Sequence, residues 1–347
     1  MTRIQKLQAK LASQKLGGVI ISKPQNVRYL SNFVGSNGRL FITPKRATLI
    51  TDFRYLRSAR KQMPNDIEIY DQKEGLKKLV GRVKTIGLEM NHLTHEQFLA
   101  LKKGLSGVQF KSISEWVETM RMIKDANEIK IIKKAVHIAD QAFLELKKHV
   151  KAGVSEDDLE WKLLSIAREL GADGFSFPPI ICFGKNTADV HHIKEPNTLK
   201  KGESVLIDMG IEYQGYMTDM TRTFYPWGAS KDEQKIYSLV LEANQKAIAA
   251  IEVGKTTGEI DLVARAVIEQ AGYGDYFGHS TGHGVGLEVH ELPHVSTRAK
   301  TKIVPGMVFT VEPGIYLNHL GGVRIEDMVY VNSKGQVEVL TTPERAL

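Results

Sequence analysis

Two stretches of this 347-residue chain carry the same landmarks in the same order, and that internal repeat restricts the fold more than any other feature. Gly153, Ser155 and Leu159 recur as Gly254, Thr256 and Ile260, and Gly171 and Phe175 recur as Gly272 and Tyr276. Each copy reads as a glycine turn, an amphipathic helix and a glycine stop. A histidine-bearing segment follows, around His191 in the first copy and His290 in the second, and then a β-ribbon with two carboxylates. Asp208 matches Glu312 and Asp219 matches Glu326, with a drift in spacing that small loop insertions would produce. Two such half-domains facing each other would converge four carboxylates on one axis.

The length suits two domains better than one core. Residues 1–120 alternate helical and strand patterns: an amphipathic start (Ile4, Leu7, Leu11), then apolar runs at Gly18–Ile21, Leu40–Ile42 and Ala47–Ile50. They read as an α/β domain without a cluster of metal-type ligands. A basic, mostly helical stretch from Ser114 to Lys151, with Ile132, Ala135, Ile138 and Ala139 on one face, leads into a second domain over 121–347.

Several classes are excluded on composition. No run approaches the roughly 18 uninterrupted apolar residues of a membrane helix. Arg3, Lys6 and Lys10 at the start have no apolar segment behind them, so a cytoplasmic protein without a secretory signal is expected. The single cysteine, Cys182, lies in the apolar run Pro179–Phe183 and reads as a buried structural thiol in a reducing compartment. The net charge of +7 is spread over scattered lysine pairs such as Lys77-Lys78 and Lys200-Lys201, without a nucleic-acid-binding motif, so no nucleic-acid partner is expected.

The chemistry concentrates in the ribbons. Ser204–Gly210 reads as a strand, Gln214-Gly215 as a turn and Tyr216–Phe224 as the returning strand, which brings Asp208 and Asp219 together. A second ribbon runs from Met307–Glu312 through Pro313-Gly314 and the loop around Gly321-Gly322 into Val323–Asp327, carrying Glu312 and Glu326. Carboxylates facing one another inside apolar strands repel and are desolvated, a cost that metal ions remove. Four carboxylates balance two divalent cations, and an oxygen-rich shell with one imidazole suits Mn or Co, with Zn or Fe as alternatives. The imidazole is expected from the glycine-rich run His279–Glu291, where glycines on both sides of His283 let the backbone approach a crowded centre. Two look-alikes fail: Gly254-Lys255-Thr256 lacks the upstream P-loop glycine, which is Ala249, and Gly282-x-Gly284-x-Gly286 lacks the dinucleotide fingerprint.

Val205–Gly210, Thr218–Phe224, His279–Glu291, Val311–Gly314 and Gly322–Asp327 together resemble the pita-bread metallopeptidases: methionine aminopeptidase, prolidase and aminopeptidase P. The likeness spans about residues 120–345, with all five ligand positions in order. Leu30–Gly38 followed by Thr51–Tyr55 is similar to the N-terminal domain of aminopeptidase P. The resemblance implies a pita-bread domain with a pseudo-two-fold repeat, preceded by a smaller creatinase-like α/β domain, in a mixed α/β chain.

It further implies an Xaa-Pro peptidase acting on proline-containing peptides, with Xaa-Pro aminopeptidase the leading subclass and a dipeptide-restricted prolidase the alternative. Asp208 would bind one metal, His283 and Glu312 the other, and Asp219 and Glu326 would bridge. Glu312 would relay a proton, His191 and His290 would hydrogen-bond the substrate, His279 would line its pocket, and Arg324 would steady the cluster. A homodimer is implied as well. His294 stands where some prolidases have an arginine for the dipeptide carboxylate, which favours longer peptides unless Arg298 or a residue of the N-terminal domain substitutes. A metal-independent creatinase-type hydrolase would lack this carboxylate set. A dead binding module would have lost a ligand, and none is missing.

Overall fold

A computed structural model describes residues 1–345. The chain divides into two compact units, Met1–Arg121 and Met122–Leu347. In the first, helices α1 (Arg3–Ser13), α2 (Pro24–Ser31), α3 (Leu56–Gln62), α4 (Leu76–Val80), α5 (His95–Gly104) and α6 (Trp116–Arg121) accompany one six-stranded sheet. Its strands are β1 (Gly18–Ile21), β2 (Gly38–Ile42), β3 (Ala47–Thr51), β4 (Ile67–Asp71), β5 (Thr85–Leu88) and β6 (Gln109–Ser112), in the order β4-β3-β2-β1-β5-β6. β1 is apolar throughout, β3 is apolar but for Thr48 and Thr51, and both are buried along their whole length, as strands covered by helices on each side must be. α1 and α5 start at capping boxes built by Thr2 with Gln5 and Thr94 with Gln97.

The basic stretch after Ser114 is two helices rather than one. α6 stops at Arg121, and α7 (Ala126–Lys147) restarts where Asp125 caps the backbone N–H groups of Asn127 and Glu128.

The second unit is built twice. Its first half holds α7, α8 (Glu156–Glu169), β7 (Gly174–Phe175), β8 (Ile180–Phe183), β9 (Val205–Met209), β10 (Ile211–Tyr213), β11 (Tyr216–Met217) and β12 (Met220–Phe224). The second half holds α9 (Lys231–Ala250), α10 (Thr257–Gln270), β13 (Gly282–Gly284), β14 (Glu291–Val295), β15 (Val308–Val311), β16 (Gly314–Leu317), β17 (Gly321–Arg324), β18 (Asp327–Val331) and β19 (Val337–Val339). In each half a helix pair buries its apolar stripe against the strands: Ala135, Phe143, Leu159 and Leu163 in one, Val240, Ala247, Ile260 and Ala264 in the other. Each large apolar side chain so buried contributes about 1.5–3 kcal/mol.

The repeat extends to the hydrogen bonds. Gly153 N–H donates to Leu199 O and Ser155 bridges Thr198; Gly254 N–H donates to Ile303 O and Thr256 bridges Lys302. The helix starts are therefore stitched to the segment that follows the histidine in both copies. The ribbons, however, are not continuous. β9 pairs with β12, while β10 and β11 form an offset tip around Gln214-Gly215. β15 pairs with β18, while β16 and β17 form their own hairpin. Counted along these pairings from Asp219 and Glu326, the position equivalent to Glu312 is Gly210, and Asp208 aligns with Thr310. The match of Asp208 with Glu312 thus holds in sequence order and not in strand register.

No helix of the described residues is long and apolar enough to cross a membrane. At Gly210, a Cβ would overlap the Thr218 carbonyl oxygen, whereas nothing stands within 4 Å of a Cβ at Gly174. Gly210→Ala is expected to destabilise the second unit by about 1–3 kcal/mol, and Gly174→Ala to stay within about 0.5 kcal/mol, in urea unfolding.

Candidate metal centre

The carboxylates sit where regular pairing breaks. Asp219 lies between β11 and β12, Glu312 between β15 and β16, and Glu326 between β17 and β18; Asp208 alone is inside a strand. Pro313 lacks an N–H and follows Glu312, so the ladder has to stop there. The Glu312 N–H donates instead to Thr281 O, and the Glu326 N–H to Thr221 O, across to the other ribbon.

These breaks bring the side chains together. One ligand atom from each of Asp208, Asp219 and Glu326 lies within 4.8 Å of the others, and the same holds for His283, Glu312 and Glu326 and for Asp219, His283 and His290. His283 Nε2 is 3.2 Å from Glu312 Oε1 and 3.5 Å from Asp219 Oδ2. His283 reaches in because its flanking glycines are required: a Cβ on Gly282 would overlap Thr310 O, and one on Gly284 would overlap Leu292 O. β13 is thereby wedged between β14 and β15. His283 Nδ1 stands 3.2 Å from the Gly284 carbonyl, which can only accept. A proton on Nδ1 has an acceptor there, and Nε2 faces the acids: protonated, it donates to Glu312, and deprotonated, it offers a lone pair to a cation.

Electrostatics explains what the cluster lacks. Burial, then the repulsion of neighbouring carboxylates, lifts Asp219 and Glu326 well above the ordinary carboxylate range. Burial also raises Asp208, against the pull of Arg324. At Glu312 burial pushes upward too, but the His283 hydrogen bond and charge outweigh it and bring the carboxyl down to about 2. His283 shows the converse: burial lowers it, and Glu312 raises it further than that. Asp208 Oδ1 and Glu326 Oε1 are buried with no hydrogen-bond partner. Unpartnered buried acceptors beside an imidazole nitrogen form a donor set that fits divalent cations, whose positive charge would remove the repulsion.

A buried network braces the set. Arg324 donates to Asp208 Oδ2 at 2.6 Å, to Tyr316 Oη at 2.9 Å and to Thr221 Oγ1 at 3.1 Å, while Thr221 donates to Glu326 Oε2 at 2.8 Å. Tyr316 Oη lies 2.8 Å from His279 Nε2, and Thr310 Oγ1 accepts from the His283 N–H and donates to Glu312. Tyr316, Thr221 and Thr310 escaped the sequence reading. A tyrosine and threonines inside apolar strands carry no motif of their own, and only strand register reveals their partners.

A cleft of about 510 Å³ opens onto the cluster. His191, His279, His290 and His294 line it, with Phe177, Ile180 and Val190 as an apolar wall. The His290 ring packs edge-on against His283 at 4.1 Å. Burial lowers the pKa of both His279 and His290, favouring neutral rings. Arg298 is exposed and does not line this cleft. Cys182 is fully buried in β8, where burial pushes its thiol far up and leaves it inert.

The model for metallopeptidase family M24 matches residues 130–333, and that for the creatinase/prolidase N-terminal domain matches residues 3–123. The chain belongs to metallopeptidase family M24. As a member of that family it is a peptidase. It is 35% identical to the Xaa-Pro dipeptidase of Pyrococcus horikoshii, over 99% of this chain and 98% of that one. Among solved structures it resembles the Xaa-Pro dipeptidase from Bacillus anthracis, with 38% identity, a TM-score of 0.95, and coverage of 99% and 98% of the two chains. It also resembles the X-Pro aminopeptidase from Thermotoga maritima, with 36% identity, a TM-score of 0.88, and coverage of 96% and 97%.

The raised carboxyls give this M24 protein a pH signature when stripped of metal. A carboxyl whose folded pKa exceeds its unfolded value takes up protons on folding, so its stability contribution is full at low pH and is lost as pH rises through the folded pKa. Chelator-treated protein is expected to melt at lower temperature at pH 8 than at pH 5.5, and the gain on adding Mn to grow with pH, in calorimetry. Glu326→Gln should raise the melting temperature of the metal-free protein at pH 8 and weaken metal uptake.

Proposed function

We propose that this chain hydrolyses the Xaa-Pro peptide bond of short peptides, and that its principal substrates are Xaa-Pro dipeptides. The observation that carries the peptidase chemistry is the pair of overlapping groups at the floor of one cleft, Asp208 with Asp219 and Glu326, and His283 with Glu312 and Glu326. Asp208 would hold one ion, His283 and Glu312 the other, and Asp219 and Glu326 would bridge; Mn or Co suits this oxygen-rich set. When bound, divalent ions supply Lewis acidity toward the scissile carbonyl and a nucleophile at neutral pH.

The chain's own residues do the rest. Glu312, held deprotonated by His283, accepts a proton and passes it to the proline nitrogen, because a tertiary amide leaves poorly as an anion. His191 and His290, at the cleft wall, donate hydrogen bonds to the substrate and to the developing oxyanion. His279 borders the substrate and, through Tyr316, ties that wall to Arg324. The buried thiol suits a reducing compartment, and a cytoplasmic, homodimeric enzyme is part of the same reading.

Dipeptide preference is supported by likeness to proteins named Xaa-Pro dipeptidase along nearly the whole chain. A specific observation favours the aminopeptidase as second reading. His294 is the cleft residue where some prolidases have an arginine, Arg298 lies elsewhere, and Arg324 is committed to Asp208.

The test is Mn-supplemented hydrolysis of Ala-Pro and Ala-Pro-Ala. Ala-Pro is expected to be the better substrate, and Glu312→Ala to lower kcat on it by about 100-fold or more. Preference for Ala-Pro-Ala would make the protein an Xaa-Pro aminopeptidase. No cleavage of either peptide, or full activity in Glu312→Ala, would overturn the mechanism.

A further inference from the structure

The loop from Val190 to Asn197 carries His191 to the cleft, yet it pairs with no strand. Its counterpart after His290 is β14, which is held in a five-stranded sheet. Something other than a ladder has to fix the first loop, and the structure offers one buried contact. His191 is exposed toward the cleft, while the next residue turns the other way: the His192 side chain is 5% exposed, and its Nε2 lies 2.9 Å from Glu156 Oε2. Glu156 is the first residue of α8, after the Ser155 cap, and its side chain is 0% exposed. The same carboxylate oxygen accepts the Glu195 N–H at 3.2 Å. Around this buried point, Lys194 Nζ reaches Asp157 at 2.6 Å and Glu160 at 2.8 Å on the exposed face of the same helix.

The second half of the repeat supplies an independent observation. Thr257 stands in the place of Glu156, directly after the helix cap, and is likewise buried. Its Oγ1 donates to the His294 carbonyl at 2.7 Å, and its N–H donates to Thr301 O. In both copies, then, the first residue of the helix grips the segment that follows a cleft histidine. The chemistry differs because the segments differ. β14 receives one added bond, from the Thr257 hydroxyl to the His294 carbonyl, whereas the unpaired first loop is held by a carboxylate taking two donors.

We propose that Glu156 is a positioning residue for His191, acting through His192 and the Glu195 N–H. This rests on the reading that His191 contacts the substrate. A charged group buried at this point would cost stability wherever it stood; what the anchor adds is a fixed place for its neighbour's ring, since residues that orient a reacting group change rates when lost.

The test compares wild type, Glu156→Leu, His191→Ala and the double variant by kcat and KM on the better of Ala-Pro and Ala-Pro-Ala. Bound metal and melting temperature are measured on each. Glu156→Leu is expected to lower kcat/KM by about 10- to 100-fold with metal content unchanged. In the His191→Ala background the same substitution is expected to change kcat/KM by no more than about twofold, since its whole effect runs through His191. Glu156→Gln keeps an acceptor for both donors and should recover most of the activity. If Glu156→Leu does not fold, His192→Leu removes the contact from the loop side and is expected to give the same pattern. Unchanged kcat/KM in Glu156→Leu, or a loss that persists undiminished beside His191→Ala, would overturn the proposal. His191→Ala without effect would instead remove the reading of His191, and the anchor's role with it, and that result shows in the single variant alone.

Discussion

Four carboxylates on the floor of one apolar cleft repel each other, and the second unit is organised around that repulsion. Each acid receives a different local answer. Arg324 sits on Asp208, Thr221 donates to Glu326, and His283 holds Glu312. Asp219 is touched at its side chain by His283 at 3.5 Å and is among the carboxyls driven furthest up. The answers are partial because protein groups alone cannot supply enough positive charge at the centre, where unpartnered oxygens of Asp208 and Glu326 remain. Cations complete the balance, so the fold and the metal requirement are one electrostatic problem.

The repeated scaffold makes such crowding tolerable. Each half buries a helix pair against its own strands, which gives two stiff bodies able to carry strain at their interface. Asp219, Glu312 and Glu326 lie at breaks in the ribbons because a regular ladder points successive side chains to opposite faces, and convergence from two ribbons needs side chains aimed off that alternation. The backbone groups freed at the breaks find partners across the halves, as the Glu326 N–H does on Thr221 O. Closure of these hydrogen bonds ties the two copies together at the site itself.

Much of this was legible in the sequence, and the limits have physical causes. The repeat was visible because glycine turns and helix caps are local chemistry, and the capping residues Ser155 and Thr256 do cap α8 and α10. The convergence of the acids was read from the repeat and from charge inside apolar strands, and His283 from the glycines on both sides of it. What failed was register. The ribbons read as continuous, whereas Glu312 and Glu326 mark the switch from one strand pair to another, and Asp208 aligns with Thr310 rather than Glu312. Nothing local encodes which residues of two distant strands lie opposite, so Tyr316, Thr221 and Thr310 stayed hidden, as did the buried partner of His192.

The acid cluster and the cleft wall are held under different constraints. The carboxylates are bound to one another by electrostatics: exchanging one changes the balance for the other three. The cleft wall answers to no such constraint. His294 is exposed, His191 rides on an unpaired loop, and Phe177 and Val190 contribute only shape. Among the residues lining the cleft, Arg324 is the one permanent cation, and its charge is already spent on Asp208. The other basic side chains at the wall are imidazoles, which carry charge only when protonated. One replacement at the wall can therefore leave the balance among the four carboxylates intact.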